Sequence, residues 1–243
     1  AENRIGGRQS FMRLSWEFFR FRLTNVADYD KMSISMKFRN AAGRGIFGEL
    51  KVKGKLPMTG KYMAYVGSYS YTGKAKGITV YDVDVEAGKF IYRCEVEVDN
   101  SSYLKASQNG QILYSIADEG VVAFRVLSNG SLARLNSANI RGMRGCHLST
   151  SKADDYIFIS GFHDGKITVL NLNKDGAVGQ IADGVFHKGL GSVAERSFRP
   201  HVSCSRLTPD ERFLMVADLG IDQIKVYRFD HKDGKITLVD TIR

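Results

Sequence analysis

A repeat of short apolar runs between turn residues is the feature that most constrains the fold of this 243-residue chain. Three copies are defined by polar turns that each precede an apolar run: Ser107–Gly110, Ser151–Asp154 and Thr208–Glu211. Each copy closes on a glycine turn, at Asn129-Gly130, Asp175-Gly176 and Asp233-Gly234. Because the polar turns are offset by 44 and 57 residues, the sequence predicts a structural unit of about 40–50 residues that stacks on its neighbours.

The apolar runs indicate strands. Between residues 61 and 243 they are β-branched and aromatic, are bounded by Gly, Asn or Asp, and lack a helical period. Repeated units of three or four strands are typical of a β-propeller, in which neighbouring blades sandwich each other's apolar faces. We therefore predict an all-β fold, a propeller with about four blades in an open arc. The predicted blades are approximately 61–100, 101–143, 144–199 and 200–243. The third contains a long connection, Val185–Arg199.

The basic residues are concentrated in the first 57 residues, called the leader below. The chain carries 35 Lys+Arg and 26 Asp+Glu, a net charge of +9, and 12 and 5 of these residues lie in the leader. The remaining sequence is close to neutral. Because a nucleic-acid-binding domain would carry its basic residues on the folded part, we predict no nucleic-acid partner.

The leader lacks the repeat and is predicted to be unrelated to the propeller. If residues 11–23 formed a helix, its aromatic face would suit a membrane surface or a partner, although a short, poorly packed segment is the commoner case. Five glycines over residues 40–60 indicate a linker, and Met58 resembles a natural start. We expect 1–57 to be non-native or poorly ordered, and 58–243 to be a partial propeller.

Membrane, metal and disulfide chemistry have little support in the sequence. No apolar run approaches the ~18–20 residues of a membrane-spanning helix, and no secretory signal is evident. The three cysteines, Cys94, Cys146 and Cys204, are widely spaced without a CxxC pair or a zinc-type cluster. We therefore predict reduced thiols, a cytoplasmic location and no bound metal.

Five motifs resemble, in the same order, those of the lactonase-type seven-bladed propellers, the family of the bacterial 6-phosphogluconolactonases. The matching stretches are Tyr65–Tyr69 (YVGSY), Asn100–Leu104 (NSSYL), Gly145–Leu148 (GCHL), Arg199–Val202 (RPHV) and Phe213–Asp222 (FLMVADLGID). The last stretch is the most specific, and the resemblance covers residues 58–243 without the leader. The sequence departs from the family where a second histidine is replaced by Ser203, and where four blades are counted instead of seven.

The resemblance implies hydrolysis of 6-phospho-D-glucono-1,5-lactone to 6-phosphogluconate, a step of the pentose phosphate pathway. It implies a small phosphorylated sugar lactone as the ligand, with no cofactor and no metal. Two alternatives stay open: a non-catalytic propeller scaffold that binds partners, and a muconate-type lactonising cycloisomerase. An arc of four blades has exposed end faces, so self-association through its open edges is also expected.

Lactone hydrolysis needs a base that activates water, stabilisation of the carbonyl oxyanion and a proton for the ring oxygen. His147 and His201 are the candidate bases, because imidazole titrates near neutral pH and both precede an inner strand at nearly equivalent blade positions; structural histidines are the alternative. Arg199 is expected to clamp a phosphate or carboxylate, with a solvated loop as its alternative.

Seven further residues are predicted to contact the substrate: Ser68, Tyr69, Tyr103, Arg144, Glu195, Arg196 and Ser203. Tyr103 is equally well explained as a core residue, and Glu195 and Arg196 as residues of a solvated loop. The other three histidines, His163, His187 and His231, fall on predicted turns or loops and are expected at the surface.

Overall fold

Strands and the turns between them make up the folded part of the chain. The computed structural model describes residues 18–25, 34–37, 62–192 and 198–243, and within these ranges every regular element is a β-strand. None of these residues belongs to a helix that could cross a bilayer. The described strands form four antiparallel sheets, called blades 1 to 4, and the predicted all-β propeller arc is confirmed.

The strands follow each other along the chain within each blade. Blade 1 has the order β2-β1-β3-β4-β5, with β1 Phe18–Asn25, β2 Ile34–Lys37, β3 Tyr62–Gly67, β4 Gly77–Asp84 and β5 Lys89–Glu97. Blade 2 contains β6 Leu104–Ala106, β7 Ile112–Ala117, β8 Gly120–Val126 and β9 Leu132–Asn139. Blade 3 contains β10 His147–Thr150, β11 Tyr156–Gly161, β12 Lys166–Leu172 and β13 Val178–Phe186. Blade 4 contains β14 Val202–Leu207, β15 Phe213–Asp218, β16 Gln223–Phe229 and β17 Ile236–Ile242.

A strand of the leader lies in blade 1. β1 pairs antiparallel with β3, with Arg22 opposite Tyr65 and Asn25 opposite Tyr62. It therefore takes the inner position that β6, β10 and β14 hold in the other blades. The helical reading of residues 11–23 is wrong from Phe18 onward, where the alternation of aromatic, Arg and Leu side chains in FRFRL suits a strand. The rest of that segment lies outside the described residues.

The three polar turns that revealed the repeat share one geometry. The N–H of the first turn residue donates to the carbonyl oxygen five residues on, in the pairs Ser107–Ile112, Ser151–Tyr156 and Thr208–Phe213. The fourth turn residue has a positive φ in every copy: Gly110, Asp154 and Glu211. The sequence repeat is therefore one turn conformation, used between the inner strand and the next strand of blades 2, 3 and 4.

Tyrosine hydroxyls join each blade to the glycine turn of the next. The donors and acceptors are Tyr65 to Gly130, Tyr114 to Gly176 and Tyr156 to His231, at 2.7, 3.1 and 3.1 Å. Gly130 and Gly176 have φ values of +79° and +87°. A Cβ atom at Gly176 would also overlap Ile112 of the preceding blade. The glycine turns thus serve both the hairpin and the close approach of neighbouring blades.

Apolar cores lie between successive blades. One cluster joins blades 1 and 2, a second joins blades 2 and 3, and a third joins blades 3 and 4. Strand β11 in blade 3 is buried at all six positions because both of its faces are covered. In contrast, the equivalent strand β15 of blade 4 alternates between partly exposed and buried residues. One face of blade 4 is therefore covered by blade 3, and the other is open.

Candidate active site

A row of three side chains crosses the inner edges of blades 2, 3 and 4. Tyr103, His147 and Cys204 occupy the same repeat position. Their respective partners on the neighbouring strand are Ile116, Ser160 and Ala217, each the fifth residue of β7, β11 or β15. The rings of Tyr103 and His147 are 4.8 Å apart, and His147 Nε2 is 3.6 Å from Cys204 Sγ. The row places a nearly buried imidazole between a phenol and a thiol.

His201 does not occupy the position equivalent to His147. It precedes β14, and a register shift between Val202 and Cys204 adds Ser203 to this strand. The equivalent of His147 in blade 4 is therefore Cys204, and the expectation of nearly equivalent histidines is wrong. The irregular strand moves His201 into the turn before β14, where the side chain meets Phe162 of blade 3.

The surroundings of His201 select its tautomer. Its ring stacks on Phe162, with centroids 4.3 Å apart and an interplanar angle of 17°. Nδ1 is 2.7 Å from the carbonyl oxygen of Phe162. Because a carbonyl only accepts hydrogen bonds, Nδ1 carries the proton in the neutral ring and Nε2 keeps its lone pair. In this tautomer Nε2 is the ring nitrogen of His201 without a proton.

The segment from Arg199 to His201 is attached to the end of β15. The His201 N–H donates to Asp218 Oδ1 at 2.7 Å, and the Leu219 N–H donates to the His201 carbonyl oxygen at 3.0 Å. Arg199 is exposed, and its guanidinium carbon lies 5.5 Å from the centre of the Phe198 ring. Within residues 62–192 and 198–243 no carboxylate forms an ion pair with it. A cation in this setting can receive an anionic ligand.

A second cationic group lies near blades 1 and 2. Arg144 Nη1 is 2.8 Å from Asp118 Oδ1, and its guanidinium carbon lies 4.9 Å from the centre of the Tyr69 ring. Asn100 donates to both oxygens of Asp118 at 2.9 Å, and its own oxygen accepts from the backbone of Ser70 at 3.0 Å. The structure therefore brings Arg144 and Tyr69 together. Sequence reasoning missed Asn100 and Asp118, although Asn100 begins a family-like motif.

These contacts keep Asp118 ionised. Partial desolvation raises the pKa of this carboxyl, but hydrogen bonds from Asn100 and Arg144 outweigh it and hold the pKa below its ordinary value. The guanidinium is thus fixed by a carboxylate on one side and lies over an aromatic ring on the other. Arg144 becomes a preorganised group with further N–H donors that can bind an anion.

Two predicted serines have hydroxyls that are used within the sheets. Ser68 donates to the Gly77 carbonyl oxygen at 3.0 Å, and Ser203 donates to the Ala217 carbonyl oxygen at 3.3 Å. Tyr103 packs partly against the core between blades 2 and 3 as well as against His147. The remaining two predicted contacts, Glu195 and Arg196, lie outside the described residues.

The expectation of a surface position is wrong for His187. This residue is 5% exposed, and it lies between Asp218 and Tyr227 of blade 4. His163 and His231 are exposed as expected. The burial of His187 had one sequence signal, Asp218 in the VADLG stretch. A carboxylate at the end of a buried strand needs hydrogen-bond donors from other parts of the chain.

The three cysteines keep their sulfur atoms as thiols. None of the three cysteines forms a disulfide. Burial raises the pKa of Cys146 to about 12, and its Sγ is 3.3 Å from the Ser160 carbonyl oxygen. In the part of the chain that the structure describes, no group of three or more His, Cys, Asp or Glu side chains is arranged to hold a metal ion.

Comparisons with known proteins agree with this architecture. The chain is 32% identical over 183 residues to the 6-phosphogluconolactonase of Bacillus subtilis (strain 168). This alignment covers 73% of this chain and 51% of the relative. A 6-phosphogluconolactonase of Formosa agariphila is 27% identical over 172 residues, covering 68% of this chain and 49% of the relative. The chain therefore spans about half the length of these curated relatives.

A solved structure gives the same result. A protein of Bacteroides fragilis NCTC 9343 described as a "putative 6-phosphogluconolactonase" superimposes with a TM-score of 0.68 at 30% identity, covering 76% of this chain and 54% of that one. The family described as lactonase, 7-bladed beta-propeller, matches residues 63–243. The arc of antiparallel blades, the motifs in the family's order and this match show that the chain belongs to the lactonase family of seven-bladed β-propellers.

Proposed function

We propose that this chain is the part of a lactone hydrolase that carries the catalytic base, and that its substrate is 6-phospho-D-glucono-1,5-lactone. The observation that carries the proposal is the tautomer of His201, whose Nδ1–H is used by Phe162 so that Nε2 is the basic atom. The names of the Bacillus and Formosa relatives support the substrate class. We also propose that the reaction belongs to the pentose phosphate pathway and takes place in the cytoplasm.

The proposed reaction uses His201 Nε2 to take a proton from water. The resulting hydroxide oxygen attacks the lactone carbonyl carbon, and the carbon bond to the ring oxygen then breaks. The ring oxygen leaves as an alcohol after it receives a proton from the imidazolium, so the base is regenerated and one water is consumed. An imidazole suits both transfers because the same ring nitrogen can accept a proton and then donate it.

The charges of the site suit an anionic substrate. Arg199 has an exposed guanidinium, and Arg144 is fixed by Asp118 and Tyr69. Guanidinium groups bind phosphate in a bidentate manner, and such charge-assisted hydrogen bonds are stronger than neutral ones. We assign substrate orientation to these arginines, and a supporting role beside the substrate to His147 with Tyr103.

The test is a hydrolysis assay with freshly prepared 6-phosphogluconolactone and, in parallel, unphosphorylated gluconolactone. We expect the chain to exceed spontaneous hydrolysis of the phosphorylated lactone and to prefer it. His231→Ala, a substitution at an exposed histidine outside the site, is the matched control and should leave the rate unchanged. A rate equal to the spontaneous one for both lactones would favour the non-catalytic scaffold.

A further inference from the structure

A buried row of three polar side chains lies behind His201. His187 Nδ1 is 2.7 Å from Asp218 Oδ2, and His187 Nε2 is 3.0 Å from the Tyr227 hydroxyl. The side chains of His187 and Asp218 are fully buried. Groups removed from water in this way are retained only when their hydrogen bonds are satisfied, because each lost partner costs free energy.

The chemistry of the three groups orients their protons. Desolvation raises the pKa of Asp218, but hydrogen bonds from His187, His201 and Gly220 outweigh it and lower the pKa below its ordinary value. The carboxylate therefore accepts from His187 Nδ1–H. Burial, with a contribution from the Asp218 charge, raises the pKa of Tyr227 to about 12, so the phenol keeps its proton. In the neutral tautomer of His187 whose Nδ1–H donates to Asp218, the phenol donates to Nε2.

The other oxygen of Asp218 holds the candidate base. Asp218 Oδ1 accepts from the His201 N–H at 2.7 Å and from the Gly220 N–H at 3.0 Å. One carboxylate thus joins the row from Tyr227 and His187 to the backbone of His201. Since the two oxygens of Asp218 cannot move independently, the position of His201 depends on the partners of both.

His187 directly follows β13 and belongs to the long connection between blades 3 and 4, which is hydrogen-bonded at several points. The His187 N–H donates to the Gly165 carbonyl oxygen at 2.9 Å. Further along, the N–H and hydroxyl of Ser192 both donate to Asp222 Oδ2, at 2.7 and 2.5 Å. The connection is therefore attached to blade 4 through Asp218 and again through Asp222, on either side of Gly220.

From these contacts we infer that Asp218, His187 and Tyr227 are positioning residues for His201: they hold the turn before β14 so that the His201 ring keeps its place against Phe162. The inference rests on the proposed function of His201 as the base. None of the three reaches the reacting atoms. They act through the backbone of His201 and through the attachment of the connection from blade 3.

Four variants test the inference in the full chain. Asp218→Ala removes the acceptor of both hydrogen-bond sets and should lower kcat about 10–100-fold, with KM within about threefold, because a small displacement of a catalytic group lowers the rate strongly. Asp218→Asn keeps an acceptor for the His201 and Gly220 N–H groups but places an amide N–H₂ opposite His187 Nδ1. Its kcat should therefore lie between those of Asp218→Ala and the native chain. Tyr227→Phe removes one neutral hydrogen-bond donor and should lower kcat about twofold to fivefold. Tyr114→Phe, which removes a buried hydroxyl between blades 2 and 3, is the matched control and should have no effect.

A second readout does not depend on activity. In protein labelled with ¹⁵N-histidine, side-chain NMR reports the tautomer of each ring at neutral pH. We expect both His187 and His201 to carry the proton on Nδ1 in the native chain. In Asp218→Ala the His201 signal should shift to a mixture of tautomers, whereas in Tyr114→Phe it should not change.

The outcomes separate this inference from the proposed function. If Asp218→Ala leaves both kcat and the His201 tautomer unchanged, the positioning role is wrong. If the native chain does not hydrolyse the lactone but the His201 signal still responds to Asp218→Ala and is restored by Asp218→Asn, the proposed function is wrong and the structural coupling holds. If Asp218→Ala does not fold, Asp218→Asn and Tyr227→Phe decide the result by the same two measurements.

Discussion

Gly220 lies so close to Arg199 that a Cβ atom at Gly220 would overlap the Arg199 carbonyl oxygen and lie 2.7 Å from the His201 amide nitrogen. The reason for glycine here is space, because the obstructing atoms are backbone atoms that cannot rotate away. Gly220→Ala should therefore displace the segment that carries Arg199 and His201. We expect kcat to fall about 10–100-fold and the melting temperature to fall, as measured by initial rates and thermal unfolding.

A matched glycine substitution separates this effect from a general loss of stability. At Gly184 the nearest atom to an added Cβ is Cε of Lys166, at 3.2 Å, on a side chain that can adjust. Gly184→Ala should retain the native rate. Equal losses in the two variants would show that the close contact at Gly220 has no special role.

Arg199 should determine the preference for a phosphorylated substrate. Replacing it with Ala removes a cation that no carboxylate of the described chain neutralises. A hydrogen bond to a charged group contributes about 1.5–3 kcal/mol, so we expect KM for 6-phosphogluconolactone to rise about 10–100-fold. KM for gluconolactone should change little, and Arg199→Lys should recover part of the loss. A parallel loss for both lactones would contradict phosphate recognition by Arg199.

Asp218 should make stability depend on acidity. Desolvation raises the pKa of this carboxyl in the folded chain, but the opposing hydrogen bonds, above all the one from His187, bring it below the ordinary value of 3.8. A depressed folded pKa stabilises the protein above the unfolded pKa, and this stabilisation disappears as pH falls through the folded value. The melting temperature of the native chain should therefore fall below about pH 4 more steeply than that of Asp218→Asn. Parallel curves between pH 7 and pH 3 would exclude the effect.

The open face of blade 4 should make the chain self-associate. Phe158 of blade 3 is completely buried against blade 4, whereas its repeat equivalent Met215 is partly exposed. On the same face Met215 pairs with Val226, and Ala217 with Ile224, which is 40% exposed. An apolar sheet face of this kind favours a second copy of the chain. Light scattering at micromolar concentration should report a species larger than the monomer.

Charged substitutions on that face provide the control. Met215→Glu combined with Ile224→Glu should yield the monomer with the fold intact, because neither side chain belongs to the buried core between blades 3 and 4. A native chain that is a clean monomer with a cooperative melt would contradict this prediction.

Sequence periodicity predicted the middle strands of the blades well and the edges poorly. The apolar run after each predicted polar turn is a middle strand of its blade: β7, β11 or β15. Strand β13 continues to Phe186, inside the predicted long connection, because an outer strand is half-exposed and its VGQIADGVF sequence lacks a continuous apolar run. Strand β1 could not be predicted as part of blade 1, since its partner β3 lies far along the chain.

The site shows the same limit. Motifs identified His147 and His201 as candidates, but the repeat alignment could not reveal the irregularity at Val202 and Cys204 that separates their positions. The burial of His187 was not predictable either, because its partners Asp218 and Tyr227 come from the next blade. Local patterns report a residue's own strand, whereas hydrogen bonds between blades depend on how the blades pack.

The most direct test of the account is the rate of lactone hydrolysis with and without the basic atom of His201. His201→Asn retains an amide that can donate to the Phe162 carbonyl oxygen and lacks a base at the position of Nε2. We expect the native chain to hydrolyse 6-phosphogluconolactone faster than the spontaneous reaction, and His201→Asn to be about 100-fold slower or more with an unchanged melting temperature. An unchanged rate in a folded His201→Asn variant would contradict the assignment of His201 as the base.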